Sequence, residues 1–274
     1  MLKKVLFWVL AFIITISAAI FQRKTGPTYE LRTQFAYEGQ NYQLEFLRSH
    51  EIGKPCIIDI EIPIPEIGGE IMYRKFPTND PWTKVDLIRE GDHLSGELPV
   101  QGAAGKLEYY LLLQNGKIQL PEDGHVIIRF KGAVPPFILI PHIFFMFFAM
   151  LISTLAALMA LGKLPRQKLY GQIAFVLLLI GGLMLGPIVQ KYAFGELWTG
   201  IPFGWDLTDN KTLIAVLFWL LAFVGNLKKE RRGLTILAAV ALLAIFSIPH
   251  SMFGSELNPE TGEIISAMIK PLIF

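Results

Sequence analysis

The chain has 274 residues, of which 53% are hydrophobic and 18% charged, and its formal net charge is +2. A soluble domain carries nearer ~25% charged residues, so the composition points to a membrane class. No block of like charge of the kind that binds nucleic acid is present. One cysteine, Cys56, excludes an internal disulfide, a cysteine-rich metal cluster and covalent c-type haem attachment.

Five apolar runs stand out: Val5–Phe21, Phe137–Leu161, Leu169–Gln190, Thr212–Val224 and Leu234–Ile248. A membrane span needs roughly 20 such residues. The fourth and fifth are short, and the fifth is expected to continue through Pro249 and His250 to Phe253. The first run has a rival reading. Met1–Lys4, an apolar stretch and Ser17-Ala18-Ala19 have the form of a secretory signal. Its length and aromatic content, with no clean small-x-small site before Phe21, favour an uncleaved anchor over residues 1–26.

Residues 27–132 read as short strands. Tyr42–Leu47 and Ile58–Ile62 alternate, while Lys84–Arg89, Leu107–Leu113 and His125–Phe130 are β-rich and separated by turn signals. Asn115-Gly116 predicts a hairpin. About seven strands in this length suggest an all-β, immunoglobulin-like sandwich without its disulfide. His50, His93 and His125 fall here in no ligand spacing and read as exposed strand or loop residues. The remainder, 133–274, reads as a four-helix transmembrane domain, giving a membrane α-helical bundle of about five transmembrane helices with the anchor included.

Loop charge sets orientation. Lys3, Lys4, Lys163, Arg166, Lys168, Lys228, Lys229, Arg231 and Arg232 share one side if there are five spans. The positive-inside rule makes that side cytoplasmic. The β domain, the loop 191–211 and the C-terminal tail then lie outside. The lipid bilayer and an envelope or membrane protein are the expected partners.

Ile-Pro-His occurs twice, at 140–142 and 248–250. With five spans, His142 and His250 reach similar depths below the outer face, roughly 5–9 Å at about 1.5 Å per helical residue. Ionisable side chains inside a span are costly and mark functional sites by default. The loop 191–211 returns to the same face with Trp198, Phe203 and Trp205 as an interfacial belt and Asp206 or Thr208 as a cap for the fourth helix.

Three readings of this constellation stay open. His142 and His250 would be axial ligands of a b-type haem, with Lys191 or Lys211 near its propionates and Gly181, Gly182 and Gly186 admitting the macrocycle. Alternatively, both histidines with Asp206, Asp209 or Glu256 would bind a divalent metal. In either case the ring nitrogens would lie roughly 3–4 Å apart across the ion. In the third reading the histidines are hydrogen-bonded interfacial residues, the glycines are ordinary helix packing, and the loop caps the bundle. A docking, scaffold or assembly role through the outer domain and loop is the main functional expectation, and a haem or metal redox protein the alternative. No HExxH, phosphate loop or Ser-His-acid pattern occurs.

Ile127–Gly132, the run from Gly186-Pro187 to Asn210-Lys211-Thr212, and Ile248–Ser251 with Gly254-Ser255-Glu256 resemble a group of bacterial polytopic inner-membrane proteins without an assigned activity. The resemblance covers about the last 150 residues. It implies a bacterial envelope location and transfers no catalytic residue.

Overall fold

The computed structural model describes residues 2–249, 254–258 and 261–265. The chain forms two compact units: one from Met1–Pro27 and Val134–Gly254, the other from Thr28–Ala133 and Ser255–Ile265. The fold is mixed, with a β-rich region and a helical one.

The helical unit contains α1 (Leu2–Lys24), α2 (Pro136–Leu161), α3 (Gln167–Phe194), α4 (Leu207–Gly225) and α5 (Arg232–Ser247). Among the described residues, the first four are long and apolar enough to cross a membrane. At 16 residues α5 is about 24 Å long, short of a ~30 Å hydrocarbon layer. Helix α2 is central. It packs on α1, α3 and α5 and buries an almost unbroken stretch from Leu151 to Ala157. Helix α1 is peripheral, burying Ala11 and Thr15.

The expected Asp206 cap is present: it accepts from the amides of Thr208 and Asp209, and α4 gains a polar first turn ahead of its apolar run. One departure from the sequence pattern has a clear cause. Helix α5 stops at Ser247 rather than running on through Pro249. Ile248 is extended (φ −70°, ψ 126°), since the ring of a following proline excludes the helical conformation. The other end of α4 is closed by Asn226, which donates to the Ala222 carbonyl and accepts from the Arg231 amide, both at 2.7 Å. The Asn226 side chain also donates to the Thr235 hydroxyl, which in turn donates to Gln167 Oε1 on α3.

The β-rich unit has eleven strands before α2 rather than seven. They are β1 (Leu31–Tyr37), β2 (Gln40–Phe46), β3 (Ser49–Glu51), β4 (Cys56–Glu61), β5 (Gly69–Lys75), β6 (Thr83–Asp86), β7 (Ile88–Glu90), β8 (His93–Leu98), β9 (Lys106–Leu113), β10 (Ile118–Leu120) and β11 (Val126–Lys131). Strands β12 (Glu256–Leu257) and β13 (Ile264–Ile265) follow α5. A six-stranded sheet runs β3-β11-β9-β5-β6 with β10 on β9, a three-stranded sheet runs β4-β8-β7, and β1-β2 is a separate hairpin. The predicted strand Lys84–Arg89 divides at Leu87, where the chain leaves β5 in one sheet and joins β8 in the other. Asn115-Gly116 turns β9 into β10, with both residues at positive φ.

One core is shared by the two larger sheets and the hairpin. Ile58 and Ile60 on β4 and Leu94 and Leu98 on β8 join Ile71, Leu107, Tyr109, Leu111, Ile128 and Phe130 of the larger sheet, with Phe35, Leu44 and Phe46 from the hairpin. The Tyr109 hydroxyl, buried in that core, donates to the Leu47 carbonyl at 2.9 Å. Cys56 is fully buried on β4, and burial, with Glu97 nearby, pushes its thiol up to about 11. At pH 8 the thiolate fraction alone should then slow alkylation about a hundredfold relative to an unfolded cysteine. Maleimide should leave the native chain unlabelled at Cys56 and label it in denaturant. Fast native labelling would contradict this burial.

Candidate functional site

The strongest concentration of buried polar groups in the helical unit lies where α3, the loop after it, and the first turn of α4 meet. Gln190, Asp206, Asp209, Asn210, Lys211 and Thr212 are all buried there.

The carboxylate of Asp209 is the hub. Its Oδ2 accepts from the Thr199 amide (2.6 Å), the Gly200 amide (3.1 Å), the Gln190 side chain (3.0 Å) and the Thr199 hydroxyl (3.3 Å). The neighbouring Asn210 Oδ1 accepts from the Ile201 amide at 2.7 Å. Asp206 takes the Thr199 hydroxyl on one oxygen and the helix amides on the other. A single helical turn thus satisfies the backbone of 199–201, which would otherwise present orphaned donors. Glycine is required at 200, because a Cβ there would stand 2.6 Å from the Asp209 Cβ.

So held, the loop turns its apolar side chains outward. Phe203 is 82% exposed and Trp205 64%, with Leu197 and Ile201 also exposed.

Lys211 faces the other way. It is 1% exposed, and its Nζ donates to the Ile248 carbonyl at 2.8 Å. Gln22 of α1 donates to that same carbonyl and to the carbonyl of Phe246. These oxygens lie at the C-terminal end of α5, where a cation is electrostatically favoured.

His142, inside α2 and just after Pro141, points at a widened segment of α3. Residues Leu179–Leu185 form a π-helical stretch in which the Gly186 amide bonds back to the Gly181 carbonyl. That carbonyl also takes His142 Nδ1 at 2.9 Å. A carbonyl only accepts, so Nδ1 carries a proton and donates it to Gly181. Pro187, without an N–H, follows the widened turn. The glycines are packed rather than open. A Cβ at Gly181 would stand 2.8 Å from Met146 Sδ, and one at Gly182 would stand 2.8 Å from Thr212 Cγ2.

The predicted site residues therefore separate. Asp206, Asp209 and Lys211 share the first turn of α4 and its cap. Lys191 is exposed on α3. Glu256 belongs to the β-rich unit, where it pairs with Lys106. His250 lies outside the described residues, so the predicted closeness of the two imidazoles does too. Among the described residues, no group of three or more His, Cys, Asp or Glu is placed to hold a metal ion. Sequence reasoning missed Gln190, Asn210 and Gln22 as partners. Neutral amides in or beside apolar runs give no periodic signal, although an amide at a span end is itself a hint of a buried hydrogen bond. His93 and His125 each contact a carboxylate, Asp59 and Glu108.

No family model, no curated protein and no solved structure matches the chain.

Asp209→Ala should strand the Thr199 and Gly200 amides and cost about 2–4 kcal/mol, read as a lowered Tm of the detergent-purified protein. Asp209→Asn, which keeps one acceptor oxygen, should lose less. An unchanged Tm in the alanine variant would show that the loop is held by other means.

Proposed function

We propose that the chain is an integral membrane protein of the bacterial envelope that acts as a docking, scaffold or assembly subunit. The observation that carries this reading is how the buried polar groups at the loop are used. Asp206, Asp209 and Asn210 direct their oxygens at backbone amides, and Lys211 directs its ammonium at a helix-end carbonyl. Groups committed in this way hold shape. The shape they hold presents Leu197, Ile201, Phe203 and Trp205 outward. Aromatic side chains suit the interfacial zone of a bilayer and are the residue types that anchor protein partners.

In this reading all five helices span the membrane, α5 with help from its flanking residues. The basic loops around Lys163–Lys168 and Lys228–Arg232 face the cytoplasm. The β-rich unit, the loop after α3 and the chain after α5 face the periplasm. Two sheets sharing one core support an immunoglobulin-like sandwich. Such a domain on a membrane protein docks partners far more readily than it catalyses.

A second reading rests on His142. A ring with Nδ1–H held by a backbone carbonyl has the fixed orientation of a metal or haem ligand. Under it the purified protein carries a Soret band or stoichiometric metal, and His142→Ala removes that signal without unfolding the bundle.

Alkaline phosphatase joined after Thr199 or after Ser255 should be active, and joined after Lys229 inactive. Activity at Lys229 would overturn the topology. Replacing residues 28–133 with a flexible linker should abolish co-purification of a cross-linked membrane partner while the helices still insert. Unchanged co-purification, or a chromophore retained by the bundle alone, would count against the docking role.

A further inference from the structure

Lys106 on β9 and Arg129 on β11 are direct cross-strand partners in the antiparallel register. Two cations in opposed positions repel and weaken a sheet unless something neutralises them. Both are largely buried: Arg129 is 5% exposed and the Lys106 side chain 15%.

What covers them is the chain after α5. The Lys106 ammonium pairs with the Glu256 carboxylate, and the Arg129 guanidinium donates to the Ser255 carbonyl. The Leu257 amide donates to the Ala104 carbonyl at 3.2 Å. The Leu257 side chain rests on a floor of glycines: its Cδ2 is 3.4 Å and 3.3 Å from where a Cβ would stand on Gly102 and Gly105. A Cβ at Gly105 would also stand 2.7 Å from the Gln101 Cβ.

These features make a seat with four distinct demands. One cation takes a carboxylate, one takes a main-chain carbonyl, one backbone oxygen takes an amide, and a methyl-free floor takes a branched apolar side chain. Glu256, Ser255 and Leu257 meet all four, Leu257 with both its amide and its side chain. Their own local support is a short hairpin of two two-residue strands, β12 and β13, closed by the Asn258 amide on the Glu263 carbonyl at 2.8 Å. We propose that residues 102–106 with Arg129 form a recognition site for an extended acidic–apolar peptide, and that Ser255-Glu256-Leu257 is its exchangeable ligand in cis. The site does not rest on the docking reading. It adds the chemistry a docked strand would need: a carboxylate side chain followed by a leucine-like one.

The test uses the full-length protein in detergent. Glu256→Lys should release the segment, so that limited proteolysis cuts within residues 255–265 at least tenfold faster than in the wild type. The charge-swapped pair Lys106→Glu with Glu256→Lys should restore protection, which a general folding defect would not. A fluorescein-labelled peptide Gly-Ser-Glu-Leu-Asn should bind the Glu256→Lys chain at least tenfold more tightly than the wild type, whose seat is filled. The same peptide with Lys for Glu should not bind. Unchanged proteolysis in Glu256→Lys, no recovery in the swapped pair, or equal peptide binding by both chains would overturn the proposal. Loss of the site with partner co-purification intact would leave the docking reading standing.

Discussion

The loop end of the helical unit depends on how its last helix stops. Pro249 forces Ile248 out of the helical conformation, and a helix that stops leaves its last carbonyl oxygens without intrahelical donors. Lys211 and Gln22 reach those oxygens from two other helices. An ammonium in an apolar bundle is expensive alone. At the negative end of a helix dipole, bonded to a carbonyl, it is compensated and also ties α4 to α5. The same turn of α4 that carries Lys211 carries Asp209 and Asn210, so one short polar segment fixes a helix end on one side and a loop on the other.

The widened turn of α3 belongs to the same economy of backbone groups. Pro187 supplies no amide to the turn before it, and that turn opens. The Gly181 carbonyl then accepts both the Gly186 amide and His142 Nδ1. The histidine is thereby oriented by a backbone carbonyl that also closes the widened turn.

Helices were legible from apolar runs because burial in lipid or protein needs only hydropathy. The cap of α4 was legible, because an aspartate ahead of an apolar run is a helix-start signal and Asp206 holds that place with Asp209 in the first turn. The side-chain partners of Asp209, Asn210 and Lys211 were not, because contacts across a loop leave no periodic signal in the sequence. The opposite error occurred at Pro249, where a hydropathy argument carried α5 forward and backbone sterics stopped it. Lys84–Arg89 read as one strand because alternation says nothing about which sheet each half joins. Lys106 facing Arg129 was hidden for a similar reason: cross-strand neighbours are set by register, which a single sequence gives only through its turns. Glu256 was grouped with the helical residues by expected membrane side, whereas its partner lies 150 residues earlier in the sequence.

Both sites use buried charge where the backbone or a like charge would otherwise go unanswered. At Lys211 the unanswered group is a pair of helix-end carbonyls. At Lys106 and Arg129 it is two cations held opposite each other by strand register. In neither place would an apolar substitute be equivalent: at Lys211 it would leave the Ile248 carbonyl with the longer Gln22 bond alone, and at Lys106 it would leave the Glu256 carboxylate without its ammonium. The two differ in what supplies the answer. Lys211 and Gln22 are fixed on helices whose faces are packed for other reasons, so their bonds persist as long as the bundle does. Ser255 and Glu256 sit on a segment whose regular structure, among the described residues, is a hairpin of two two-residue strands, and their bonds tie that short hairpin to the sheet. Permanence therefore belongs to the first clamp and exchange to the second.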